Sequence, residues 1–275
     1  MSDRLTQLYP VSGTPIPLPG LYLNPSIRDR QSAAPFIYSN FVTSLDGRIA
    51  LAAAERKTPE VPRSIANDRD WRLFQELAAQ ADLLITSARY FRQSVRGESQ
   101  DTLPIGPSAA FDDLRAWRLN RKLSPQPDIA IFSASLDIPP QALRAYENRR
   151  VLVLTGADAD ATARARLIGE THAEVVTCGP QSDVDGALVR GRLGELGYRF
   201  IYAIAGPAVL HTLAAGAALD RLYLTFVGRL LGGDSYDTLC RGPLLAPPVN
   251  LPLRSLYFDP SAPDGAGQLF AAFGN

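Results

Sequence analysis

Asn40-Phe41-Val42-Thr43-Ser44-Leu45-Asp46-Gly47-Arg48-Ile49-Ala50 is the stretch on which the fold turns. The apolar run Phe36 to Val42 feeding it reads as a strand, and Asp-Gly at its end breaks the chain direction. In an open parallel sheet, ligands gather where strand C-terminal ends meet the following loops. Two readings therefore stand side by side. The dipeptide is a tight turn, or it is a ligand-facing strand end. In the second reading Asp46 accepts hydrogen bonds from a polar substrate, and Thr43 and Ser44 present hydroxyls to cofactor and substrate.

Outward from that strand the chain alternates short apolar runs with helical patterns. Asn67 offers a helix N-cap with Asp70 three residues on, and Trp71, Phe74, Leu77 and Ala81 share a helical face. Strands are expected at Leu83–Thr86, Ile129–Phe132, Val151–Leu154, Glu174–Thr177, Phe200–Ala205 and Leu222–Val227. Helices are expected near Gln141–Tyr146, Ala159–Leu167, Asp183–Leu196 (capped by Ser182) and Pro207–Ala215. Arg92 to Pro127 is Gly/Pro-rich, a long excursion with one amphipathic piece from Phe111 to Leu119, and Val249 to Phe258 forms a closing extended segment. This order predicts an α/β fold: a mostly parallel sheet with helices on both faces and its last strands antiparallel. Residues 1–34, interrupted by Pro10, Pro15, Pro17, Pro19 and Pro25, read as a proline-rich arm or a disordered lead before a single domain over 35–275.

Composition narrows the class. The chain has 275 residues, 46% of them hydrophobic, which is ample for a packed core. Lys+Arg and Asp+Glu both total 28, so no overall field draws the protein to nucleic acid or an anionic membrane. Cys178 and Cys240 are far apart, and His172 and His211 complete a set too sparse for a zinc site. No stretch approaches the roughly 18 apolar residues of a membrane span, and no basic-then-apolar leader opens the chain. The expected compartment is the cytoplasm.

Three further strand ends carry candidate contacts. At Ala205-Gly206-Pro207-Ala208-Val209 a strand gives way to a helix with proline at its first position. Glycine lets a ligand approach the backbone, and the helix dipole favours a phosphate by about 0.3–1 kcal/mol. The plainer reading is punctuation between strand and helix. Ser133-Ala134-Ser135 puts two hydroxyls on one side of an extended tripeptide, suited to a ribose 2′-phosphate or to a turn. Thr86-Ser87-Ala88-Arg89 combines small residues with a cation, as a cofactor contact or as a solvated loop. No Gly-x-Gly-x-x-Gly, P-loop or Gly-x-Ser-x-Gly element appears.

Taken in order, these segments resemble the pyrimidine-reductase family of riboflavin biosynthesis. Residues 40–50 are similar to its first strand and Ser-Leu-Asp-Gly turn, residues 81–88 to its cofactor-contacting strand end, and Ala205-Gly206-Pro207 with Leu231-Gly232-Gly233 to its late glycine motif. The likeness spans Pro35 to Asp237. It implies a dihydrofolate-reductase-like fold, NADPH as hydride donor and a homodimer. It implies that Ser87, Ala88, Ser133, Ser135, Ala205, Gly206 and Pro207 line the cofactor, joined by Thr43, Arg89, Ala208 and Val209 at the same junctions. Asn40, Ser44 and Asp46 would face the substrate, with Asp46 or an ordered water as proton donor. Departures concern the substrate: Asn40 stands for a common lysine, Ile204 for a glutamate, Ala78 for an arginine that helps hold a ribose phosphate, and Tyr90 for a threonine. The zinc deaminase half of bifunctional relatives is missing, since its His-x-Glu and Pro-Cys-x-x-Cys elements are absent. A pterin or dihydrofolate reductase and a catalytically silent nucleotide-binding module remain as alternative readings.

Overall fold

The computed structural model describes residues 4–13, 15–52, 59–99, 103–261 and 263–275. From the N-terminus, β1 (Arg4–Tyr9) and β2 (Pro15–Pro17) precede β3 (Phe36–Ser44) and the short β4 (Ala50–Leu51). Then follow α1 (Asp68–Ala79), β5 (Leu83–Ser87), α2 (Ala88–Val95), α3 (Asp112–Asn120), β6 (Asp128–Phe132), α4 (Pro140–Leu143) and β7 (Val151–Thr155). The chain continues through α5 (Ala161–Glu170), β8 (Glu174–Thr177), α6 (Gly186–Glu195), β9 (Phe200–Ala203), α7 (Pro207–Ala215) and β10 (Arg221–Val227). It closes with β11 (Tyr236–Asp237), β12 (Leu253–Asp259) and β13 (Gln268–Gly274).

One eleven-stranded sheet runs β2-β1-β12-β13-β10-β3-β9-β5-β6-β7-β8. Neighbours from β10 to β8 are all parallel, whereas β13 runs antiparallel to both β10 and β12, and β1 runs antiparallel to β12. The mostly parallel sheet with antiparallel closing strands is as the sequence predicts. Period-two alternation then decides which residue meets which helix layer. Tyr38, Leu84, Ile129, Ile131, Val153 and Tyr202 pack with Leu77 of α1, Phe91 of α2 and Leu114 of α3. Their sequence neighbours Ile37, Leu83, Ile85, Ala130, Leu152, Leu154 and Ile201 pack with Val189 of α6 and Leu213 of α7 on the opposite face.

Described residues of the 1–34 segment belong to the sheet and the core. β1 and β2 extend the sheet, and Leu5, Leu18, Leu21, Tyr22, Leu23 and Ile27 join the core. The segment is latched to the back of α1: Glu76 accepts from Gly20 N at 2.6 Å and Tyr22 N at 3.0 Å, and the Gln80 side chain bonds Ser26, Ile27 and Tyr22. Buried Arg118 of α3 donates to the carbonyls of Ala79, Ala81 and Ser124, closing the α1 C-terminus where unpaired carbonyls accumulate.

Several local expectations are corrected. Asp185, not Ser182, caps α6 through Ala187 N, so the helix starts at Gly186. α2 occupies the start of the presumed excursion. The closing region holds two strands, β12 and β13, rather than one extended segment over Val249–Phe258. Asn67 does cap α1, accepting from the amides of Arg69 and Asp70.

Candidate functional site

A cleft of about 380 Å³, within the usual range for small-molecule pockets, opens where β3, β5 and β9 end. Asn40, Phe41 and Val42 come from β3, and Thr86, Ser87, Arg89 and Tyr90 from the β5–α2 junction. Ile204, Ala205, Gly206 and Pro207 come from the β9–α7 junction. Parallel pairing of β3 and β5 with β9 brings these ends together. Helix α1 supplies the facing wall with Asp70, Trp71 and Phe74. Trp71 and Phe74 stack at 4.7 Å with an interplanar angle of 10°.

The sequence-predicted residues divide sharply. Asn40, Ser87, Arg89, Ala205, Gly206 and Pro207 line this cleft. At Gly206 an added Cβ would meet no protein atom within 4 Å, so the backbone there faces open space. Val209 packs into the core beside Leu213, and Ala88 is likewise buried against the opposite helix layer, so neither side chain reaches the cleft. Ala208 is exposed outside the cleft lining. The amides of Val209 and Leu210 already donate to Gly206 O, at 3.1 and 3.3 Å, which limits the helix start as an anion cradle.

The 133–135 tripeptide ends β6 on the same sheet edge but outside the cleft lining. Ser135 is exposed and its Oγ accepts from Asp137 N at 3.3 Å. Ser133 is buried, and its Oγ has no hydrogen-bond partner, an unusual condition for a buried hydroxyl.

The 44–47 turn also stands apart from the cleft lining. Thr43 and Ser44 are buried, and Thr43 Oγ1 donates to Ser44 O at 3.1 Å. Asp46 is a latch: it accepts from Ser44 Oγ, from Leu231 N at 3.1 Å and from Gly232 N at 2.8 Å, and it pairs with Arg48 at 2.9 Å. The Ser44 hydroxyl, the two amides and the Arg48 guanidinium hold its carboxyl down at about 2. A carboxylate so committed keeps its charge at neutral pH and has no proton to give. These contacts give Asp46 a structural role, tying the β10–β11 loop to the end of β3.

Asp70 behaves oppositely. It sits in the first turn of α1, on the cleft wall, with Thr225 Oγ1 donating to its Oδ1 at 2.6 Å. Burial, only partly offset by that hydrogen bond, pushes its carboxyl up to about 6. The sequence shows Asp70 as a capping partner of Asn67, and nothing local marks it as a site residue. Asn40 is fixed by the buried Tyr202 hydroxyl, which donates to its Oδ1. Ala78 is fully buried and does not line the cleft; the residues of α1 that line it are Asp70, Trp71 and Phe74. Tyr90 does line it, with its hydroxyl 3.2 Å from that of Tyr146.

Among the described residues no helix is long and apolar enough to cross a membrane, and no cluster of His, Cys, Asp or Glu is arranged to hold a metal ion.

The RibD C-terminal domain family matches residues 35–259. No curated protein matches the chain. Among solved structures, a pyrimidine reductase-like protein from Corynebacterium diphtheriae superposes with a TM-score of 0.62 at 18% identity, covering 87% of this chain and 91% of that one. Riboflavin biosynthesis reductase Rib7 from Saccharomyces cerevisiae gives 0.57 at 14% identity, covering 94% and 98%. RibD of Acinetobacter baumannii gives 0.59 at 14% identity, covering 90% of this chain but only 60% of its own length. Identities this low establish a shared fold.

Proposed function

Because the chain belongs to the RibD C-terminal domain family, we propose that it is an NADPH-dependent reductase of a ribosylamino-pyrimidine or a close heterocyclic analogue. The observation that carries this reading is the cleft at the ends of β3, β5 and β9, with Gly206 open to it on one side and an aromatic wall on the other. The residues fit a nicotinamide cofactor. Ser87, Ala205, Gly206 and Pro207 form a narrow-profiled wall on which a flat ring can lie, and Arg89 adds a cation. The unpartnered Ser133 hydroxyl suits a phosphate oxygen beyond the cleft. When bound, NADPH supplies the hydride.

What the chain itself contributes is alignment, exclusion of water and the handling of one proton. Trp71 and Phe74 present apolar surface that displaces solvent from the reacting face. Asp70, with its carboxyl near 6, is the group in the cleft able to exchange a proton close to neutral pH. We take the protein as a cytoplasmic homodimer, which sedimentation and cell fractionation test.

Fluorescence titration with NADPH tests the cofactor, with binding at micromolar levels expected. Loss of reduced-nicotinamide absorbance with the pyrimidine intermediate, and in parallel with dihydrofolate, separates the two enzymatic readings. Failure to bind either NADPH or NADH would instead identify a silent module.

A further inference from the structure

We propose that Tyr202 is a positioning residue for substrate: its buried hydroxyl locks the Asn40 amide so that Nδ2 faces the cleft as a donor to an acceptor atom of the bound ring, a carbonyl oxygen in a pyrimidine. The inference deepens the reductase reading and rests on it for the identity of that ring.

Topology brings the pair together. β3 and β9 run parallel with Tyr38 opposite Tyr202 and Ser39 opposite Ala203. Alternation then puts Asn40 on the same face of β3 as Tyr38. Asn40 is half-buried and lines the cleft, whereas Tyr202 is wholly buried and does not. The Tyr202 ring is held on two sides. It stacks on Tyr38 at 4.9 Å and 9°, and Phe74 of the cleft wall packs against it at 5.6 Å. Tyr38 is itself tied to α1, its hydroxyl donating to Leu77 O at 2.8 Å.

Polarity follows from the acceptors at hand. Burial first, and then the neighbouring Tyr38 and Asp70, push the Tyr202 hydroxyl well above its ordinary range, so it keeps its proton. Among the described residues, Asn40 Oδ1 is the acceptor that proton finds. A flipped amide would set Nδ2 against the hydroxyl and leave a buried donor unmade. Oδ1 therefore points to Tyr202, and Nδ2 has no hydrogen-bond partner among the described residues. An amide nitrogen only donates, so it selects an acceptor. The flat surfaces of Trp71 and Phe74 suit an acceptor carried on a planar ring.

The test measures the affinity of the full chain for 5-amino-6-ribosylaminouracil 5′-phosphate by calorimetry and for NADPH by fluorescence, and follows NADPH oxidation separately. Tyr202→Phe keeps both ring contacts and removes only the hydroxyl. It is expected to weaken the aminouracil about fivefold, and Asn40→Leu about tenfold, with NADPH affinity unchanged. The double variant should bind no more weakly than Asn40→Leu, because Tyr202 acts through Asn40. Asn40→Asp, assayed where its carboxylate is ionised, still accepts from Tyr202 but offers the substrate no donor, and should lose at least as much as Asn40→Leu. Parental affinity in Asn40→Asp would mark the bond as structural only and overturn the proposal. Additive losses in the double variant, equal weakening of NADPH, or no aminouracil binding to the unmodified chain would overturn it as well. If Tyr202→Phe does not fold, Asn40→Asp decides. The expected pattern of aminouracil binding without NADPH oxidation refutes the reductase reading alone and leaves the positioning role standing.

Discussion

Asp46 and Asp70 show how surroundings divide two carboxylates of one fold. Hydrogen bonds from Ser44, Gly232 and Leu231 and the charge of Arg48 hold Asp46 down at about 2, and burial holds Asp70 up at about 6. For Asp70 the folded value lies above the ordinary 3.8, so its contribution to stability is complete below about pH 4 and is lost as pH rises through 6. Asp70→Asn should therefore match the parent in urea denaturation at pH 4 and exceed it by roughly 2 kcal/mol at pH 8. For Asp46 the sign reverses, with stabilisation present above 3.8 and lost as pH falls towards 2. Gly206 supports a different prediction. Since no protein atom lies within 4 Å of its Cβ position, Gly206→Leu should leave the melting temperature within a degree or two while weakening NADPH by about tenfold or more. An unchanged NADPH affinity would remove this junction from the cofactor site. The Asp-Gly turn and the Gly-Pro junction are legible in sequence because turn chemistry is local. Asp70 is not, because its partner Thr225 lies 155 residues away and its environment exists only once the sheet has formed.

Helix α1 illustrates the same limit at the scale of an element. Its N-cap and its apolar face follow from spacing alone, but the full burial of Glu76 and Gln80 beneath the N-terminal segment does not. Burial raises the Glu76 carboxyl, and the amides of Gly20 and Tyr22 with the Arg72 guanidinium counter that rise. Glu76→Ala leaves two backbone donors and the Arg72 Nε–H without their acceptor, and should cost about 2–4 kcal/mol by denaturant titration. At the α6–α7 contact, a Cβ on Gly186 would sit 1.9 Å from Thr212 O. Gly186→Ala therefore forces the helices apart, with a loss of about 1–3 kcal/mol expected in the same assay. Periodicity gave α6 its existence. It could not give this close approach, which belongs to the pairing of two helices rather than to either sequence.

At the scale of the molecule, the parallel half of the sheet was readable from apolar runs separated by helical patterns, since strands covered on both faces are apolar throughout. The antiparallel half was less so. β1 and β2 are short and proline-flanked, and β13 follows a glycine-rich turn, so neither carries a strong local signature. Pro15 and Pro17 withhold amide donors at the outer edge of β2, the device by which sheets avoid growing. Removing residues 1–17 would bare the β12 edge, and light scattering should then show higher oligomers at concentrations where the full chain is uniform. The doubly used helix α1 has a wider effect. Asp70 looks into the cleft and Glu76 grips the N-terminal segment from the same rigid rod, about 9 Å apart along its axis. Anything that steadies one end of that rod steadies the other. A protease offered the first thirty residues thus becomes a remote gauge of occupancy, cutting more slowly when the cleft is filled.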